Sequence, residues 1–101
     1  MPMDSLKLDR YVIDTLMPDL VGHDKRPSAL LVYLFLWGAS SEVSGRETTA
    51  SLRDIAEGTG LSKRSVQDAL ALLERRKLVA RTRGAPTEIA AYEVLRPWRR
   101  R

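Results

Sequence analysis

Between Asp9 and Val21 the apolar residues Val12, Ile13, Leu16, Met17, Leu20 and Val21 recur at helical spacing, while Asp9, Arg10, Asp14 and Asp19 fall largely elsewhere on the wheel. The spacing predicts an amphipathic helix. Pro18 interrupts it, because proline removes the hydrogen bond to the Asp14 carbonyl and disfavours helical geometry at Met17, so a kink or break near Met17 is expected. The next stretch is patterned differently. Pro27 to Ser41 carries no charge, and Leu30 to Trp37 is apolar on every side apart from the Tyr33 hydroxyl. Such a helix has to be covered all round, and it is too short for the roughly 20 apolar residues that span a bilayer. It is predicted as a central core helix, with Pro27 near its start and Gly38 near its end.

The second half shows shorter periods. Ser51 is a good N-cap, Asp54 stands where a capping box prefers Glu or Gln, and Leu52, Ile55 and Ala56 form an inward stripe. This short helix ends at Gly58-Thr59-Gly60, where glycine supplies the left-handed geometry of a reversal, and Leu61 anchors the turn in the core. Ser62 caps a further helix running from Lys63 to about Arg76. Val66, Ala69, Leu70 and Leu73 line its inner face; Arg64, Gln67, Asp68, Ala71 and Arg75 lie opposite, with Lys63 beside the N-terminus. Leu78 to Arg83 then leads through Gly84-Ala85-Pro86-Thr87 into Glu88 to Leu95, where Ala90, Tyr92 and Val94 alternate as in a half-buried strand. A two-stranded hairpin is predicted, with Arg81 and Arg83 sharing one face near its tip. Thr48-Thr49-Ala50 is a candidate third strand.

Composition narrows the class. The 101 residues are 44% hydrophobic and 30% charged, a single soluble globular domain by size and balance. There is no cysteine, and the lone His23, read as a loop residue, cannot build a metal site by itself. Asp9, Asp14, Asp19 and Asp24 recur every five residues, which does not keep to one helical face, so they are not read as metal ligands. No glycine-rich phosphate loop, nucleophile motif or acid pair beside a histidine is present, so neither catalysis nor a cofactor is expected. MPMDSLKLD has no secretory pattern, and a cytoplasmic protein is expected. The charge is unevenly placed: residues 1–50 carry five basic side chains against seven acidic ones, and residues 51–101 twelve against six. A basic half of this kind points to a polyanion.

Chemistry on the helix from Lys63 fits such a partner. Arg can fork onto guanine and Gln onto adenine, and helix N-terminal amides accept phosphate. The order helix, short helix, glycine turn, second helix, hairpin, with the string DIAEGTGLSKRSVQDALALLERRKLV, resembles a winged helix-turn-helix DNA-binding domain. It is similar to winged domains of bacterial and phage transcriptional regulators, such as the MarR and GntR types, and of replication-associated proteins. The resemblance implies a mainly α fold with a small β-hairpin wing, a three-helix core plus an N-terminal helix. It also implies sequence-specific binding of double-stranded DNA, with the second helix of the motif in the major groove and the wing on the backbone or minor groove. By position, it makes Ser62, Lys63, Arg64, Ser65, Gln67, Asp68, Ala71 and Arg75 candidates on the reading helix, and Arg81, Arg83 and Thr87 candidates on the wing. Where the family commonly has glycine at the end of the reading helix this chain has Lys77, so a mildly strained left-handed Lys77 or a different helix exit is expected. Asp68 would repel phosphate unless it accepts from a cytosine amine or orients Arg64.

The expected organisation is an N-terminal helix over residues 1–26, the winged domain over 27–95 and a basic tail over 96–101. The tail is either a disordered end or an arm along DNA, unless Trp98 packs back onto the domain. The apolar excess of the first half predicts a homodimer held by the N-terminal helix, placing two reading helices about 34 Å apart on a palindromic site. The competing arrangement folds that helix back onto its own core. The alternative to a transcriptional regulator is a winged protein-interaction or replication-associated module; the sequence says nothing of a small-molecule effector.

Overall fold

Pro18 widens the first element without breaking it. The computed structural model, which describes residues 5–40, 47–84 and 89–99, continues helical backbone through Met17 (φ −59°, ψ −56°) and joins two π-helical stretches, Val12–Leu16 and Pro18–His23. The Met17 N–H donates to the Val12 carbonyl and the Asp24 N–H to that of Asp19. A wider turn lets the proline ring clear the carbonyl of the turn before it, so of the kink or break expected near Met17 no break occurs, and the pitch changes there instead. Val12, Leu16 and Leu20 are the inward edge, at 0%, 3% and 0% exposure, while Ile13 and Val21 stand in solvent.

Helix α1 (Pro27–Ser40) takes the central place that its uniform hydrophobicity demands. It packs against the N-terminal helix, against α2 (Leu52–Thr59) and α3 (Lys63–Arg75), and against strands β1 (Glu47–Ala50) and β3 (Ala90–Val94). Gly38 lies in the last turn of α1, near its end as expected. No helix among the described residues is long and apolar enough to cross a membrane.

The capping box at the start of α2 forms with aspartate: the Asp54 N–H donates to Ser51 Oγ (3.0 Å) and the Ser51 N–H to the Asp54 carboxylate (2.9 Å). The two glycines at the end of α2 do different work. Gly60 is left-handed (φ 83°) and closes the helix through its N–H to the Ala56 carbonyl. Gly58 is helical, and a Cβ there would stand 2.1 Å from the Phe35 ring, so its bare backbone lets α1 and α2 approach.

Lys77 adopts the expected left-handed conformation (φ 60°). The Leu78 N–H reaches back to the Leu73 carbonyl (2.9 Å) and the Lys77 N–H to that of Glu74 (3.1 Å), a Schellman closure with both leucines buried. A side chain there carries steric strain that glycine lacks. Lys77→Gly is therefore expected to stabilise the fold by about 0.5–1 kcal/mol, seen as a higher Tm; an unchanged or lower Tm would show that the turn holds lysine without strain.

The sheet runs in the order β1-β3-β2, with β2 spanning Val79–Arg83, and both pairings are antiparallel. The minimal third strand at Thr48-Thr49-Ala50 is therefore real, extended by Glu47. Arg81 pairs with Tyr92 and Arg83 with Ala91, and the register shifts between them. Thr82 is the extra residue, its hydroxyl donating to the Ala91 carbonyl (3.2 Å).

Residues 9–11 and 96–99 are latched together over α1. The Trp98 ring stacks on Tyr11 (centroids 4.5 Å apart) and lies parallel to Trp37 (6.4 Å), and its Nε1–H donates to Asp9 (2.8 Å). Arg99 donates two hydrogen bonds to the same carboxylate, at 2.6 and 2.7 Å, and Arg96 sits 4.2 Å over Trp37. The Arg99 guanidinium, with Trp98, holds the Asp9 carboxyl down to about 2. So the described part of the basic tail, through Arg99, folds back onto the domain.

Candidate nucleic-acid interface

Two serines build the start of α3 before any partner is considered. Ser62 Oγ accepts the Ser65 N–H (3.1 Å), and the two hydroxyls lie 3.1 Å apart, so both candidates serve the cap. Val66, Ala69, Leu70, Leu72 and Leu73 then anchor the inner face. Lys63, Arg64, Ala71 and Arg75 are exposed and Gln67 and Asp68 half-buried, so the outward row read from the spacing is the row that the fold presents.

The charges on this row are not equivalent. Lys63, Arg75 and Lys77 have no ion-pair partner among the described residues. Arg64 lies 3.5 Å from Asp68, one helical turn on, and Arg26 approaches the same carboxylate at 3.8 Å. Asp68 thus orients arginine from two directions. Arg26 was not among the candidates: it stands 42 positions from Asp68 in sequence, and no local pattern links them.

The wing departs from expectation. Cross-strand partners share a face of a sheet, and Tyr92 and Ala91, being consecutive, point to opposite faces. Arg81 and Arg83 therefore do not share a face, because the extra residue Thr82 inverts the alternation. Arg81 turns to α3, where its Nη1 meets both carboxylate oxygens of Glu74 at 3.0 and 3.2 Å. Arg83 pairs with Glu47 of β1 at 3.0 Å. Gly84 closes β2 with φ 82°, and a Cβ there would press within 2.6 Å of the Ile89 carbonyl oxygen. Thr87 lies outside the described residues.

Between α3 and β2 lies an open depression of about 180 Å3, lined by Gln67, Leu70, Ala71, Glu74 and Arg81. It joins the reading row to the wing. Behind α3, Arg76 is held by Asp19 (2.6 Å) and by Asp24, which also accepts from His23 (2.9 Å). Hydrogen bonding from His23 and the Arg76 charge keep the Asp24 carboxyl below its ordinary value. The regularly spaced aspartates of the first half are thus structural partners: Asp14 of Arg10, Asp19 and Asp24 of Arg76, and Asp9 of Arg99.

Two helices joined through a left-handed glycine, with a small sheet behind the second, define a helix-turn-helix protein of the winged type. A family model described as a helix-turn-helix domain matches residues 23–79, more than half of the chain, and the chain belongs to that family. The matched region stops at the first residue of β2, so the hairpin, most of the N-terminal helix and the tail lie beyond it. No curated protein and no solved structure matches the chain.

Proposed function

We propose that this chain binds double-stranded DNA sequence-specifically, with α3 in the major groove and the hairpin along the backbone, and that it acts as a transcriptional regulator through that binding. The observation that carries the reading is the outward row of α3. Within a helix-turn-helix it offers Lys63 and Arg75, cations with no ion-pair partner among the described residues, for phosphates, and the Gln67 amide and the Arg64 guanidinium for base edges. Small Ala71 leaves room between them for the groove wall. One copy on one site suffices for this reading. The homodimer expected from the apolar stripe is a separate question: Val12, Leu16 and Leu20 are buried within a single chain, while Ile13 and Val21 of the same stripe remain exposed.

Fluorescence anisotropy on a mixed-sequence duplex tests the proposal. Each phosphate neutralised contributes about −0.9 to the slope of log K against log salt, so phosphate contacts from Lys63 and Arg75 predict a slope of about −1.8 or steeper. Absence of binding at low salt, or binding indifferent to salt, would reject it. Selection from a random duplex library then reports whether sequence is read.

A further inference from the structure

The wing cation nearest the reading row is already neutralised. Arg81 leaves α3 by only a few residues of chain, and the bulge at Thr82 sets it on the face opposite to Arg83. There its guanidinium is shared between both oxygens of Glu74, with the two side chains only 31% and 28% exposed. The pair lines the same depression as Gln67 and Ala71, so Glu74 stands within the surface that would face DNA. A guanidinium in a carboxylate pair brings no net charge to a phosphate and releases no counterion until the pair opens.

We propose that Glu74 sets the strength and salt dependence of DNA binding: by holding Arg81 against α3 it withholds one sequence-independent phosphate contact, and so lowers affinity for every duplex alike. The inference rests on the DNA-binding reading above. Base contacts from Gln67 and Arg64 do not pass through the Arg81–Glu74 pair, whereas sequence-independent affinity is set by the number of phosphates neutralised. Glu74 is thus a positioning residue acting through Arg81, and it needs no contact with DNA itself.

The test is a double-mutant cycle on the full chain, read by anisotropy on a random duplex and on a selected site across salt concentrations. Glu74→Gln is expected to tighten binding to the random duplex and to the selected site alike, by about three- to tenfold, and to steepen both salt slopes by about 0.9. Glu74→Ala should do the same, which guards against the amide keeping hold of Arg81. In an Arg81→Ala background either substitution should change nothing. If the gain persists without Arg81, Glu74 acts by general repulsion of phosphate and the proposal is overturned; it is equally overturned if neither variant gains affinity. Failure of the wild-type chain to bind any duplex at low salt would instead remove the DNA-binding reading, and this inference with it.

Discussion

Leu16→Asp is expected to unfold the chain. Leu16 is 3% exposed and packs with Val12 and Leu20 in the same core as α1, so the new carboxylate has no water and no cation to meet. Removing a buried leucine side chain costs about 2–5 kcal/mol through lost burial and the cavity left behind. Placing an ionisable group there adds the penalty of burying charge, against a total stability of about 5–15 kcal/mol for a domain. Circular dichroism and thermal melting should show a weak or absent cooperative transition at neutral pH. Ile13→Asp, at 45% exposure on the neighbouring edge of the same helix, is expected to shift stability by no more than about 0.5 kcal/mol. A folded, cooperative Leu16→Asp chain of monomeric mass, beside a wild type that sediments as a dimer, would show that this helix packs against a second copy.

Gln67→Ala is expected to lose about 1–3 kcal/mol of binding on a selected site while leaving random DNA near the wild-type level. The side chain is half-buried beside Ala71, and no protein group among the described residues claims its amide, so both donor and acceptor remain available to a base edge. Lys63→Ala and Arg75→Ala should behave differently, weakening every sequence alike and each lowering the salt slope by about 0.9. Arg64→Ala is expected to fall between, since its guanidinium first has to leave Asp68. Equal losses on selected and random DNA for Gln67→Ala would place its contact on the backbone, and no loss on either would refute the docking of α3.

Some of this architecture was legible because the signals are local. The Ser51 and Ser62 caps, the Gly60 reversal and the inner row Val66, Ala69, Leu70 and Leu73 each depend on residues within a turn or two of one another. The left-handed Lys77 was legible for the same reason. By contrast, the N-terminal stripe fits a dimer seam and an intramolecular core equally well by pattern. Hydrophobic spacing specifies that a face is covered and carries no address for what covers it.

The amino-acid sequence alone therefore determined the helices, their caps, the turn and the outward row of α3, since helix periodicity and capping act over a few residues. Only the tertiary structure decided that the N-terminal helix completes its own chain's core, that Trp98 stacks on Tyr11 while Arg99 pairs with Asp9, and that Asp19 and Asp24 hold Arg76. It also decided where the wing cations go, because one inserted residue, Thr82, inverts a period of two and sends Arg81 to Glu74 and Arg83 to Glu47. These pairings join residues far apart in the chain or divided by a bulge, and their distances exist only once the core around α1 has closed.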